Sequence, residues 1–125
     1  MASDATARSG DGRTPPSDHD SGEVLHGTMQ MLVLKLLELQ PMHGYGIQQR
    51  IEQVTRGALR VNPGSLFPAL HRMERGGLLM AEWGRSANGR RAKFYRLTQL
   101  GRRRLHVEKA TWRRAATAVE RVLAT

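Results

Sequence analysis

The sequence predicts a mainly α-helical chain that carries one small β-hairpin and ends in a long helix. Three observations predict it. Apolar residues recur at helical spacing in three successive segments between residues 25 and 75. Two strand-like runs then flank a loop that contains Asn88-Gly89. Beyond Thr98, apolar residues return at intervals of seven.

Residues 1–23 contain no Leu, Ile, Val or aromatic residue and are rich in Ser, Gly, Pro, Asp and Thr. A segment with so little apolar area to bury cannot offset the entropy of ordering, so residues 1–24 are expected to be a disordered tail. From there Leu25, Met29, Leu32, Leu36 and Leu39 fall on one helical face, and Met31, Val33, Leu34 and Leu37 widen it. A helix so coated must be buried on two sides, one against its own domain and one against a second subunit. Pro41 ends it, because proline cannot continue the hydrogen-bond ladder. A second helix is expected over residues 45–55, with Tyr45, Ile47, Ile51 and Val54 inward and Gly57 closing it.

Arg60-Val61 reads as a very short strand. A third helix runs to Arg75, with Leu66, Leu70 and Met73 inward and Gly76-Gly77 after it. Its start has two solutions. Capped by Asn62, it puts Pro68 in the interior, where a hydrogen bond is lost; capped by Ser65, it puts Pro68 at the third position, where none is needed. A loose first turn that tightens from Ser65 is the expectation. Residues 78–83 and 92–97 read as strands joined by a loop over 84–91. Thr98 is placed to cap the last helix, expected to reach Leu123. In it Leu105, Trp112 and Val119 are spaced by seven, as are Ala115 and Val122, with Glu108 at one position where an apolar residue is expected.

Helix, helix, helix, hairpin and long helix is the order of a winged helix-turn-helix (residues 25–98) followed by a dimerisation helix (residues 99–125). In that arrangement the third helix enters the major groove and the hairpin, or wing, reaches the flanking phosphates. The charge agrees. The chain of 125 residues carries a net +9, yet residues 1–24 hold two basic and five acidic residues while residues 25–125 hold 18 basic and six acidic. That excess points to a polyanion, with nucleic acid ahead of an anionic membrane surface. Residues 85–104 contain eight basic residues and no acidic one, which places the charge on and just after the hairpin. Its position beside the third helix selects double-stranded DNA.

Other classes find little support. Without Cys there is no disulfide framework, cysteine-ligated zinc or cysteine nucleophile. The run of large apolar residues from 31 to 34 ends at Lys35, far short of the about 20 residues a membrane span needs. The first 24 residues lack the apolar core of a secretory signal, so a cytoplasmic protein is expected. There is no phosphate-binding Gly-rich loop with its lysine, no His-Glu-x-x-His and no nucleophile elbow. His26, His43, His71 and His106 are at least 17 residues apart, His71 with Glu74 supplies too few ligands for a metal, and Ser65 near His71 lacks an orienting carboxylate. No catalytic residue, cofactor or metal is expected.

With Leu66, Leu70 and Met73 inward, the third helix leaves Ser65, Phe67, Pro68, His71, Arg72 and Arg75 on or near its outer face. Arg72 and Arg75 suit either guanine edges or phosphates. Phe67 has two readings: contact with a thymine methyl or sugar edge, or packing against a wing strand. Trp83 is expected to pack within the hairpin.

Four segments together resemble the PadR family of bacterial transcription regulators: His43-Gly44-Tyr45-Gly46-Ile47, residues 61–74, Gly77-Leu78-Leu79 and residues 89–101. The most specific is Pro63-Gly64-Ser65-Leu66-Phe67-Pro68-Ala69-Leu70, and the likeness extends over residues 25–125. Phe67 stands where the family usually has tyrosine, and Gly46 where it commonly has an acidic or larger residue. The resemblance implies a homodimeric repressor on a palindromic operator, released by a small molecule. It implies DNA contacts from Tyr45, Ser65, Phe67, His71 and Arg72, with Arg90, Arg91 and Lys93 as phosphate contacts of the wing. The single C-terminal helix resembles the shorter subtype, in which that helix and the first one build the dimer. Met29, Leu32, Leu36, Leu105, Trp112, Ala115, Val119 and Val122 are the candidates for that interface. Trp112 has two readings, a filler of the dimer seam or a stacking surface for a planar or hydrophobic effector. Outside this class, the alternative is a sequence-independent nucleic-acid or nucleoid-binding protein that uses the basic hairpin electrostatically.

Overall fold

The computed structural model describes residues 26–125. The expected tail, and Leu25 with it, lie outside the described residues. The chain runs through α1 (His26–Leu39), β1 (Met42–His43), α2 (Gly44–Val54), α3 (Pro63–Arg75), β2 (Leu79–Arg85), β3 (Arg91–Leu97) and α4 (Gln99–Leu123). It is mainly helical, with a small antiparallel sheet in the order β1-β3-β2.

The core gathers one face from every helix. Leu34 of α1, Ile47 of α2, Leu66 and Leu70 of α3 and Leu105 of α4 are among its most deeply buried side chains. In α1 the buried residues are Met29, Met31, Val33, Leu34 and Leu37, while Leu32 and Leu36 are only partly covered and Leu39 is exposed. The core thus takes Met29 and the residues that widen the stripe, and leaves Leu32 and Leu36 at its edge. A helix apolar on most of its circumference does not specify which side faces inward, and the neighbouring elements decide.

Two inward assignments in α2 are corrected as well: Tyr45 and Val54 are exposed. Ile47 and Ile51 fill the inner positions, and the next inward place, four residues on, goes to Thr55. Its hydroxyl donates to the Ile51 carbonyl at 2.8 Å and accepts from the Leu59 N–H at 3.1 Å, which closes the turn after the helix. His43 opens α2, its Nδ1 accepting from the Gly46 N–H at 3.0 Å.

The third helix starts earlier than expected. Asn62 is the cap, with its side-chain oxygen accepting from the Gly64 N–H at 2.7 Å and its carbonyl taking the N–H of both Ser65 and Leu66 at 2.9 Å. Pro63 occupies the first turn, where its fixed φ suits the helix, and Pro68 lies inside. Pro68 brings no N–H to the Gly64 carbonyl, and both residues are exposed.

The hairpin is longer than the sequence reading. Leu79 pairs with Leu97 at one end and Arg85 with Arg91 at the other, leaving residues 86–90 as the loop. The third strand is not at Arg60-Val61 but at Met42 and His43, which pair with Tyr95 and Phe94. Only two residues long and directly after Pro41, it carries no alternation pattern to detect. Arg60 forms no more than an isolated bridge. At Thr98 the hydroxyl donates to the Gly77 carbonyl at 2.7 Å and accepts from the Gly101 N–H at 3.0 Å, so one side chain caps α4 and ties it to the end of α3. Gly101 allows the close fit: a Cβ there would lie 2.3 Å from the Leu78 carbonyl oxygen and 2.6 Å from Leu97 Cδ1.

Candidate nucleic-acid interface

The start of α2, the outer face of α3 and the wing enclose a groove of about 710 Å³. Tyr45 and Phe67 form one wall, and Trp83, Arg90 and Arg91 form the other, with His71 also lining the groove. The first wall is built from a close approach. A Cβ on Gly44 would lie 2.4 Å from Phe67 Cε1, so the ring of Phe67 seats on the bare backbone of α2. Tyr45 meets that ring edge-on, with centroids 5.3 Å apart, and is itself 63% exposed. Phe67 thus packs against α2 and is partly buried, rather than lying on a wing strand.

The second wall is cationic. Trp83 is 59% exposed and carries the Arg91 guanidinium over its ring at 4.4 Å. A cation held on an indole face keeps its charge while losing conformational freedom, which readies it for an anionic partner. Arg85 donates from its guanidinium to the Gly89 carbonyl at 2.9 Å and closes the loop. Arg90 is exposed at the loop's end. Lys93 differs from these: its ammonium is 3.0 Å from Glu74 and 5.6 Å from the centroid of the Tyr95 ring. The hydrogen bond it donates to the Glu74 carboxylate holds that ammonium above the usual lysine range.

The remaining α3 candidates diverge. Ser65 is partly buried near the helix start, and Arg75 is exposed in the last turn. Arg72 faces a different groove, of about 660 Å³, bounded by the beginning of α1 and the middle of α4. Met29, Glu108, Trp112 and Ala115 line that groove with it. Glu108 accepts from Gln30 Nε2 at 2.5 Å and lies 4.0 Å from Arg104, while its other oxygen is buried without a hydrogen-bond partner. The polar residue in the heptad pattern is thus held by α1.

The expected interface residues separate into two groups. Met29 and Leu105 lie in the chain's own core, Leu105 at 1% exposure, and Leu32 and Leu36 pack against that core from its edge. Trp112, Ala115, Val119 and Val122 are exposed, Val122 at 70%. Among the described residues no three His, Asp or Glu side chains are grouped to hold a metal. No described helix is long and apolar enough to cross a membrane.

Residues 33–107 match the family model described as the transcriptional regulator PadR-like family. The chain belongs to this family. A PadR family regulator from Eggerthella lenta of known structure is 31% identical, with a TM-score of 0.68 over 79% of this chain and 84% of that one. A transcriptional regulator of Mycobacterium tuberculosis is 43% identical over 61 residues, a match covering 49% of this chain and 53% of the relative. A Streptococcus mutans structure, at 24% identity and a TM-score of 0.71 over 82% of this chain and 92% of that one, shares the fold. PadR proteins are transcriptional regulators and not enzymes, and they bind DNA and are typically dimeric.

Within this PadR fold, Tyr45, Phe67, His71, Arg90, Arg91 and Lys93 line one groove, and Trp83 joins them. Trp83 lines the groove instead of packing inside the hairpin. Alternation along 79–85 puts Trp83 on the same face as buried Leu79 and partly buried Ala81, opposite exposed Met80 and Glu82, yet Trp83 is itself exposed, which alternation alone does not reveal. Lys93 lines the groove and also pairs with Glu74 of α3, a contact across 19 residues that spacing does not reveal.

Proposed function

We propose that this PadR regulator is a cytoplasmic homodimeric repressor. It holds a palindromic operator and is released by a planar or hydrophobic effector. Residues 25–98 form the DNA-binding unit and residues 99–125 the dimerisation helix. The observation that carries this reading is the groove in which α2, α3 and the wing present aromatic and cationic side chains to one side. Ser65, Phe67, His71, Arg72 and Arg75 face or border the major groove, with Tyr45 beside them, and Arg90 and Arg91 engage phosphates.

The exposed seam of Trp112, Ala115, Val119 and Val122 suits a second copy of itself, since a two-fold axis pairs one apolar stripe with its twin. Such a dimer sets two α3 helices about 34 Å apart, one turn of DNA. Effector binding in the groove beside Trp112, next to the seam, favours one dimer shape and so alters that spacing. The test is titration of the protein on a duplex from its own upstream region and on random duplex at several salt concentrations. A repressor prefers the first by a factor of about a thousand or more. Equal affinities would instead identify sequence-independent nucleic-acid binding.

A further inference from the structure

The wing cations are not equivalent. Arg90, Arg91 and Lys93 all line the groove, but Lys93, on the central strand β3, is ion-paired with the last turn of α3. Its ammonium lies 3.0 Å from Glu74 Oε1, and the side chains of the pair are 29% and 33% exposed. Beneath them is Tyr95, which is buried, so the contact sits where the wing joins the core. Glu74 is otherwise a poor residue for this place. It stands between Met73 and Arg75 on the helix that approaches DNA, where a free carboxylate repels phosphate. Paired with Lys93, it presents little net charge and spans two elements that no other ion pair among the described residues joins.

We propose that Glu74 and Lys93 form a strut that fixes the angle between α3 and the wing, and that Lys93 is a positioning residue rather than a phosphate contact. The inference rests on the DNA-binding reading of this face. With the strut in place, the recognition helix and the loop arginines meet the duplex as one rigid surface. Without it, the wing swings on the short link between α3 and β2, and both sets of contacts must be ordered at the moment of binding.

The two roles predict opposite signs. DNA affinity is measured against salt for the wild type, Glu74→Gln, Lys93→Met and the double variant. As a strut, Glu74→Gln weakens binding by about two- to fivefold although it removes a negative charge. Lys93→Met weakens it by a similar factor with an unchanged salt slope, and the double variant is no worse than either single one. Lys93→Arg, which keeps the pair, stays close to wild type. A salt slope lowered by about 0.9 per subunit in Lys93→Met makes Lys93 a phosphate contact. Unchanged or tighter binding by Glu74→Gln overturns the strut as well. A thermal-stability cycle on the same four proteins reads the pair without DNA. Coupling there with no DNA binding by the wild type defeats the DNA reading alone, whereas non-coupled single effects there defeat the strut alone.

Discussion

Two stretches of this chain carry apolar residues at helical spacing, and only one of them buries those residues. From α1 to Leu105 the repeats of Val33, Leu34 and Leu37, of Ile47 and Ile51, and of Leu66, Leu70 and Met73 close on one another. Beyond Leu105 the same periodicity continues through Trp112, Val119 and Val122 into solvent, and among residues 111–125 only Ala116 is partly covered. Isolated helices of this length are marginal in water, because most helical stability comes from packing an apolar face. The difference separates a pattern that α1–α3 bury within the chain from one in α4 that the chain leaves exposed, as the proposed dimer seam requires.

Truncations in the two stretches separate them most strongly. Leu34→Ala removes a fully buried side chain and costs about 2–5 kcal/mol in urea denaturation, at any protein concentration. A cost below about 1 kcal/mol would mean that α1 does not form the core described. Trp112→Ala leaves the fold intact, and by the proposed seam it weakens dimerisation by about 2 kcal/mol, read by sedimentation equilibrium. An unaltered dimer would take Trp112 out of the seam. Gly101→Ala acts at the boundary between the stretches. The added methyl meets the Leu78 carbonyl, which cannot retreat without opening the hairpin, so a loss of about 1–3 kcal/mol is expected. Wild-type stability in that variant would mean α4 is seated less closely than described.

How legible each part was follows from the same contrast. The inner face of α3, the Thr98 cap and the hairpin were readable because each depends on residues near in sequence. The inner face of α1 was not, because an all-round apolar helix offers several equivalent stripes. Tyr45 and Val54 were placed inward by counting, but one stands in the first turn of α2, where it leans on Phe67, and the other ends the helix where Thr55 turns in. In the candidate site, the residue types were legible and their alliances were not. Arg91 with Trp83 is a pair across two strands, and Lys93 with Glu74 joins a strand to a helix. Both depend on how the wing folds back.

The smallest effect concerns charge instead of apolar area, and it asks whether the two stretches also differ in what their arginines do. Arg90 lies on the wing loop, and Arg121 lies on α4, about 33 Å along the helix axis from Gln99. On the helical wheel Arg121 falls opposite the stripe of Trp112, Val119 and Val122, so a dimer built on that stripe leaves it in water. Both are exposed and neither has an ion-pair partner among the described residues. If the wing is the DNA-contacting element, Arg90→Ala lowers the salt slope of binding by about 0.9 per subunit, and Arg121→Ala leaves it unchanged. The wild-type midpoint of thermal unfolding should persist in both, since exposed substitutions usually shift stability by under about 0.5 kcal/mol. Equal reductions from the two would mean that the duplex responds to total charge and not to where the fold puts it. The groove between α2, α3 and the wing would then lose its claim to be the interface.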